Sequence, residues 1–584
     1  MVKPVFTLAA ILFLIASVGG QSIPADTPAS HFREGIRLLQ LNSLEEALAS
    51  FEQSAKLDDK RPATFANIGM IYLKLQRHAE AEAAFRKATR LAPENAEFFA
   101  NLCVSLSLQL KHTEAIEACD EAVELDPDSD RINSARVSAL TFAGRIDDET
   151  ARTIGIAVDR FRNSVMLLSV AADYYIFRKN FYAAVNLLQT LTNLEPDRAR
   201  HHGILAEVLL NLGRDPDALA SARRALQLEA VDPHANFAMG LILFELGEHN
   251  EAIEAFSRVN TNDEREMTAK FKIGLSKSHL GQHQESVDIL RPLAERSPTR
   301  IDILFNLGSG LASLRQFSEA KSVLQRALAI DPENPGILAQ LGLAHASLAE
   351  FDQAIEYHER NVKLNPGNEV YQMFLNVARS RQRTTQRLPE MIADIENFPN
   401  DITKLFNLAS ALGYANRLRD AERYIKRIYE LDPDDEKIYH YIGIIYAEGG
   451  NDIGSIDAYK RSLAKKENLG AHLGLAGAYR KLGRMDEAIE EYKKVIAGKP
   501  DAPSIMKGLA DALRERGRRR EALEMYQRSI SLNPLNPAAI FQAGLLSVRL
   551  GEIDAARNYL TTLRSLDPHS ARTLERCIAI NFWN

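Results

Sequence analysis

One period constrains this chain more than anything else in it. In residues 301–334, IDILFNLGSGLASLRQFSEAKSVLQRALAIDPEN, the residues Leu304, Leu307, Gly308, Leu311, Ala320, Leu324, Ala327, Ile330 and Pro332 stand at fixed offsets. The same offsets return about every 34 residues along nearly the whole sequence. Apolar residues at positions 4, 7, 8 and 11 of each unit make one face of a helix, and positions 20, 24 and 27 make the facing stripe of a second. Gly, Asn or a polar residue near position 15 breaks the chain between them, as at Gly213, Gly247, Gly281, Gly483, Gly517 and Gly551. Proline at position 32 cannot continue the second helix. Gly or Ala at positions 8 and 20 lets the two helices approach, and a bulky residue at 24 fills the wedge beside the next pair. One pair cannot bury this face alone, so neighbours must stack. The pattern predicts an all-α solenoid of about 16 helix-turn-helix units.

The period also draws the map. Residues 1–20 read as a signal peptide, with Lys3 at the charged end, an apolar run from Val5 to Val18, and the small residues Val18 and Gly20 before the cut. An uncleaved membrane anchor is the alternative, and the run is short for spanning a bilayer. A short leader follows at 21–27. Units at 28–129 form a first block, 130–164 is degenerate with Glu149 where a small residue belongs, and 165–368 is a second block. Residues 369–401 are degenerate again, and Pro389 is expected to break any helix there. A third block runs 402–570, and 571–584 reads as a C-terminal capping helix and tail, with Phe582 and Trp583 near its end.

The recurring offsets resemble the tetratricopeptide repeat (TPR). Their long run is similar to the repeat array of O-linked N-acetylglucosamine transferases. No unit carries Trp at position 4, a departure on which the resemblance does not depend. The resemblance implies a right-handed α-solenoid whose first helices line a concave groove, with positions 2, 5, 6, 9 and 12 facing it. Too few residues follow the repeats to hold a transferase domain, so glycosyl transfer is not expected to come with it.

Two rows of side chains fall on those groove positions. Position 6 is asparagine at Asn67, Asn101, Asn306 and Asn407, like the asparagine ladder of the transferase arrays. An amide both donates and accepts, so such a row can hold the backbone of an extended peptide without reading its side chains. The ladder is interrupted by Ala135, Val170, Ile204, Ala238 and Lys272. Position 5 is phenylalanine in three successive units, Phe237, Phe271 and Phe305. These rings either anchor a partner or pack against the neighbouring helix. Cys103 and Cys119 occupy positions 8 and 24 of one unit, opposite each other in a helical hairpin. They are either a disulfide, in an oxidising compartment, or two buried thiols. Two arginine clusters, Arg514, Arg516, Arg518, Arg519 and Arg520, and Arg379, Arg381, Arg383 and Arg387, would suit an anionic partner or be solvated turn charge.

No catalytic constellation appears. There is no phosphate-cradling glycine loop, no nucleophile elbow and no H-E-x-x-H pair, and the 14 histidines are scattered. No cofactor or metal is expected. A formal charge of −7 gives no general attraction to nucleic acid. The expectation is an exported, non-enzymatic scaffold in the periplasm or secreted, binding a protein or extended peptide in its groove. Membrane contact is expected only if residues 1–20 are retained. The alternative is a regulatory or substrate-recruiting subunit of a glycosyltransferase-type or envelope assembly complex.

Overall fold

The computed structural model describes residues 26–415, 417–433 and 436–582. The expected signal peptide, most of the leader, and Trp583 lie outside them. Among the described residues every regular element is an α-helix, from Pro28–Gln40 to Pro568–Phe582. Helices pair into hairpins and hairpins stack, so the fold is an all-α solenoid. Contacts divide the chain into one unit ending at Ala238 and another beginning at Met239.

Local chemistry starts and stops these helices. Thr27 caps the first one in a reciprocal box with Ser30. Asn95, Ser129, Asp147, Ser164 and Asn536 accept a first-turn N–H in the same way. Pro28, Pro62, Pro335, Pro503 and Pro537 sit in first turns, where the missing N–H costs nothing. At the far end, position 15 turns into the left-handed region in nearly every unit, from Asn42 at φ +59° to Gly551 at φ +78°. The N–H of position 16 then returns to the carbonyl of position 11, as from Arg77 to Tyr72 and from Arg518 to Leu513. Leu110 and Ala349 hold this conformation without being glycine.

The core lies between the two helix layers and follows positions 8 and 24. A β-carbon added to Gly69 would stand 2.8 Å from the Phe85 ring, and one on Gly240 would stand 2.6 Å from Phe256. Tyr459 fills the same place above Gly443, and Leu324 above Gly308. In the unit 96–129, Cys103 and Cys119 occupy these two positions and form a disulfide. Position 27 offers a second tie between layers. Ser54, Asn361 and Ser529 donate to the carbonyls of Pro28, Pro335 and Pro503 at 2.7–2.8 Å.

Three places depart from the regular hairpin. In 130–164, the helix Asp148–Arg160 packs only loosely, and Asp130–Phe142 leans directly on Val165–Phe177. In 233–266 the second helix is short, His249–Ser257, and the next helix starts at Glu264, ahead of the expected boundary at 267. Asp263 causes that early start by accepting the N–H of Arg265. In 369–401 the first helix is extended, Glu369–Gln386, and Pro389 lies in the opening turn of Leu388–Asn397. The residues after the last repeat form one helix, beginning at Pro568 rather than Ala571.

Candidate functional site: the first-helix row

First helices of successive hairpins lie side by side in several places, as with Ala96–Leu108 against Asp130–Phe142. The position-6 asparagines of the first unit sit in this row. Asn67 is buried and donates to its own helix at the carbonyl of Ala63, 2.8 Å away. Asn101 is 3% exposed, and its amide nitrogen has no hydrogen-bond partner.

What stands beside Asn101 is a pair the periodic reading passed over. Glu97 and Arg131 occupy position 2 of adjacent repeats and form an ion pair. Arg131 also reaches the Asn101 carbonyl oxygen at 3.4 Å. Its Nε is buried without a partner. Burial pushes the Glu97 carboxyl up from its ordinary pKa and the Arg131 guanidinium down, each against the pull of the other. The charges largely cancel, and two donors, Asn101 Nδ2 and Arg131 Nε, are left over. Buried donors without acceptors are costly and uncommon in a folded chain. A backbone carbonyl is the acceptor that suits a charge-balanced site. Opposite charges 34 residues apart at one repeat position were the signal for this pair.

The phenylalanine row is divided. Phe237 is half-buried and belongs to the first unit. In the second unit, Phe271 is 6% exposed, sits in a core cluster with Leu290, Leu304 and Leu307, and lies under the Arg300 guanidinium. Phe305 is half-buried and covers Gly336 at the start of the next first helix. Of the two readings for these rings, packing between repeats describes Phe271. Asn306 is half-buried and donates to the carbonyl of Asp302 at 2.8 Å, and Asn407 is exposed. The second unit therefore keeps these amides on separate hairpins, without the unpaired donors of the first.

The arginine clusters are largely committed. Arg516 pairs with Asp486, Arg518 with Glu521, Arg379 with Glu359, and Arg387 with Glu390. The adjacent His201 and His202 bond to Glu195 and to the carbonyl of Pro196. Among the described residues no group of three or more His, Cys, Asp or Glu is placed to hold a metal ion. No described helix is long and apolar enough to cross a membrane.

Stacked helical hairpins define a repeat scaffold for protein interaction. The chain belongs to the tetratricopeptide repeat family, whose descriptions match residues 32–96, 66–130, 170–235, 216–265, 311–376, 406–469, 467–534 and 507–571. Among solved structures it is similar to the APC/C hetero-tetramer Cut9–Hcn1, at 14% identity over 89% of this chain and 96% of that one, TM-score 0.34. YrrB, a TPR protein with an unusual peptide-binding site, matches at 21% identity over 32% of this chain and 93% of its own, TM-score 0.27. Naa15/Naa10 bound to HypK-THB matches at 14% identity over 94% and 95%, TM-score 0.27. No curated protein matches the sequence.

Proposed function

We propose that this protein is an exported, non-enzymatic scaffold that holds an extended segment of a partner protein along the first-helix row of its first unit. The observation that carries this reading is the pair of buried, unpaired donors at Asn101 Nδ2 and Arg131 Nε, beside a charge-balanced Glu97. Two N–H groups without acceptors suit the carbonyl of an extended peptide that displaces the side chains now covering them, and Asn67 stands at the same repeat position one unit earlier.

The decisive measurement uses peptides selected on the purified protein from a random extended library. Binding is read by calorimetry to the parent and to N101A/R131Q. A weakening of about tenfold or more, roughly 1.4 kcal/mol, is expected with helicity unchanged. Equal affinity would sink the groove reading.

Export rests on the N-terminal sequence and on the Cys103–Cys119 bond, which persists in an oxidising compartment. Protein recovered from the cell envelope should begin at Gln21. A cytoplasmic chain that retains Met1 would overturn export.

A further inference from the structure

A repeat in a linear array normally touches only its neighbours. Within the second unit two turns break that rule: Arg315 reaches the Gly449 carbonyl 134 residues away at 3.4 Å, and a second turn makes a larger contact. The hairpin turn of 233–266, Glu245 to Glu248, lies against the hairpins 503–536 and 537–570 and the terminal helix Pro568–Phe582. Arg549 donates to the Leu246 carbonyl through Nε, at 3.1 Å, and through Nη2. Glu248 accepts from Arg519 at 3.0 Å and pairs with Arg549 at 3.3 Å. The Cys577 thiol donates to the Glu245 carbonyl at 3.7 Å. The Leu246 side chain packs on the cluster of Ile540, Val548, Leu574 and Cys577. Gly247 holds φ +71°, where a side chain is strained, and a β-carbon there would stand 2.5 Å from Arg549 Nη2 and displace that guanidinium.

These groups form a small interface of familiar composition. An aliphatic side chain seats at its centre, a buried arginine spans a backbone carbonyl and a carboxylate, and a second arginine closes the rim. Arg549 is 13% exposed at its side chain and Glu248 21%. Three guanidiniums, of Arg514, Arg519 and Arg549, lie close together, and Glu248 is the carboxylate that meets two of them. Without it the C-terminal hairpins would present clustered like charges, Arg549 among them half-hidden from water, with no carboxylate from the turn to hold them.

We propose that the turn Glu245–Glu248 is a built-in ligand of the C-terminal repeats, a clasp that holds the second unit closed and covers the surface formed by Arg519, Arg549 and the Cys577 region. Opening the clasp uncovers that surface and Cys577 without unfolding any hairpin.

Cys577 reports the state directly, because Cys103 and Cys119 are bonded to each other. Under non-reducing conditions the parent chain should alkylate slowly with N-ethylmaleimide. E248R should raise the rate about tenfold or more, and should raise the radius of gyration in X-ray scattering, with far-ultraviolet circular dichroism unchanged. R519E alone should act in the same direction. E248R/R519E re-forms the pair with its charges exchanged and should react more slowly than E248R alone. Parent-like alkylation and scattering in E248R would overturn the clasp, as would a double variant no better protected than its worse single.

Discussion

The imidazole of His358 occupies the space where a side chain on Gly342 would begin. A β-carbon there would stand 2.3 Å from His358 Cε1. Most repeats fill this wedge with an aromatic or aliphatic residue, and here a 1% exposed histidine does so, with no partner at Nδ1. Gly342→Ala should therefore destabilise the fold by about 1–3 kcal/mol, read from denaturant midpoints, because the ring has nowhere to retreat.

That histidine also sets a pH dependence. Burial lowers its pKa to about 4, against 6.5 in an open chain. The unfolded chain then takes up a proton that the folded chain refuses. Stability is complete above about pH 6.5, falls as pH drops through this window, and levels off below about 4, for a total of up to roughly 3 kcal/mol. His249 is lowered to about 4 as well, first by burial and then by His279, which stacks on it at 4.7 Å, and by Arg549 and Arg514. H358L should flatten part of the acid limb in a thermal-melt series from pH 7 to 4. An unchanged slope would mean that His358 titrates normally in the folded chain.

The turn residues give a prediction of opposite sign. Leu110 at φ +60° and Ala349 at φ +59° pay a backbone cost that glycine does not, and Leu110 is largely exposed. L110G or A349G should stabilise the chain by up to about 1 kcal/mol despite glycine's greater freedom when unfolded. G517A should cost a similar amount, and thermal melts of the three variants would check both signs.

The Cys103–Cys119 bond closes a loop within one hairpin, with a sequence separation of 16. Replacing both with Ala should remove up to about 3 kcal/mol in the chain-entropy account. Non-reducing peptide mapping should recover the two cysteines in one linked species.

The loosely packed helix Asp148–Arg160 should be the first internal segment to open. Ile156 is 69% exposed on it and Ile146 57% exposed just before it. Amides there should exchange faster than those of Phe181–Leu194, and limited proteolysis should cut between 143 and 164 first. Equal protection would mean that the degenerate unit is as firmly stacked as its neighbours.

Much of this was legible in the sequence because stacking repeats itself. Gly308 and Leu324 announce their contact by recurring at the same offsets in other units, and Cys103 with Cys119 inherits it. What escaped the period was whatever occurs once. The ion pair of Glu97 and Arg131 needs opposite charges in adjacent repeats, which a search for identity overlooks. Asp263 moved a helix start through a single capping bond. Glu248 and Arg519 stand 271 residues apart, and nothing in a 34-residue pattern brings them together.

The contact between Leu246 and Arg549 has a consequence for how such an array can change over generations. An open solenoid can gain or lose a hairpin anywhere, since each new copy needs only two neighbours. Here the stack between the turn at 247 and the hairpin at 537 sets the distance at which Arg519 and Arg549 meet that turn. One hairpin more or fewer along that span would carry them past their partners. In this part of the chain the number of repeats is itself a structural parameter, held as firmly as any residue.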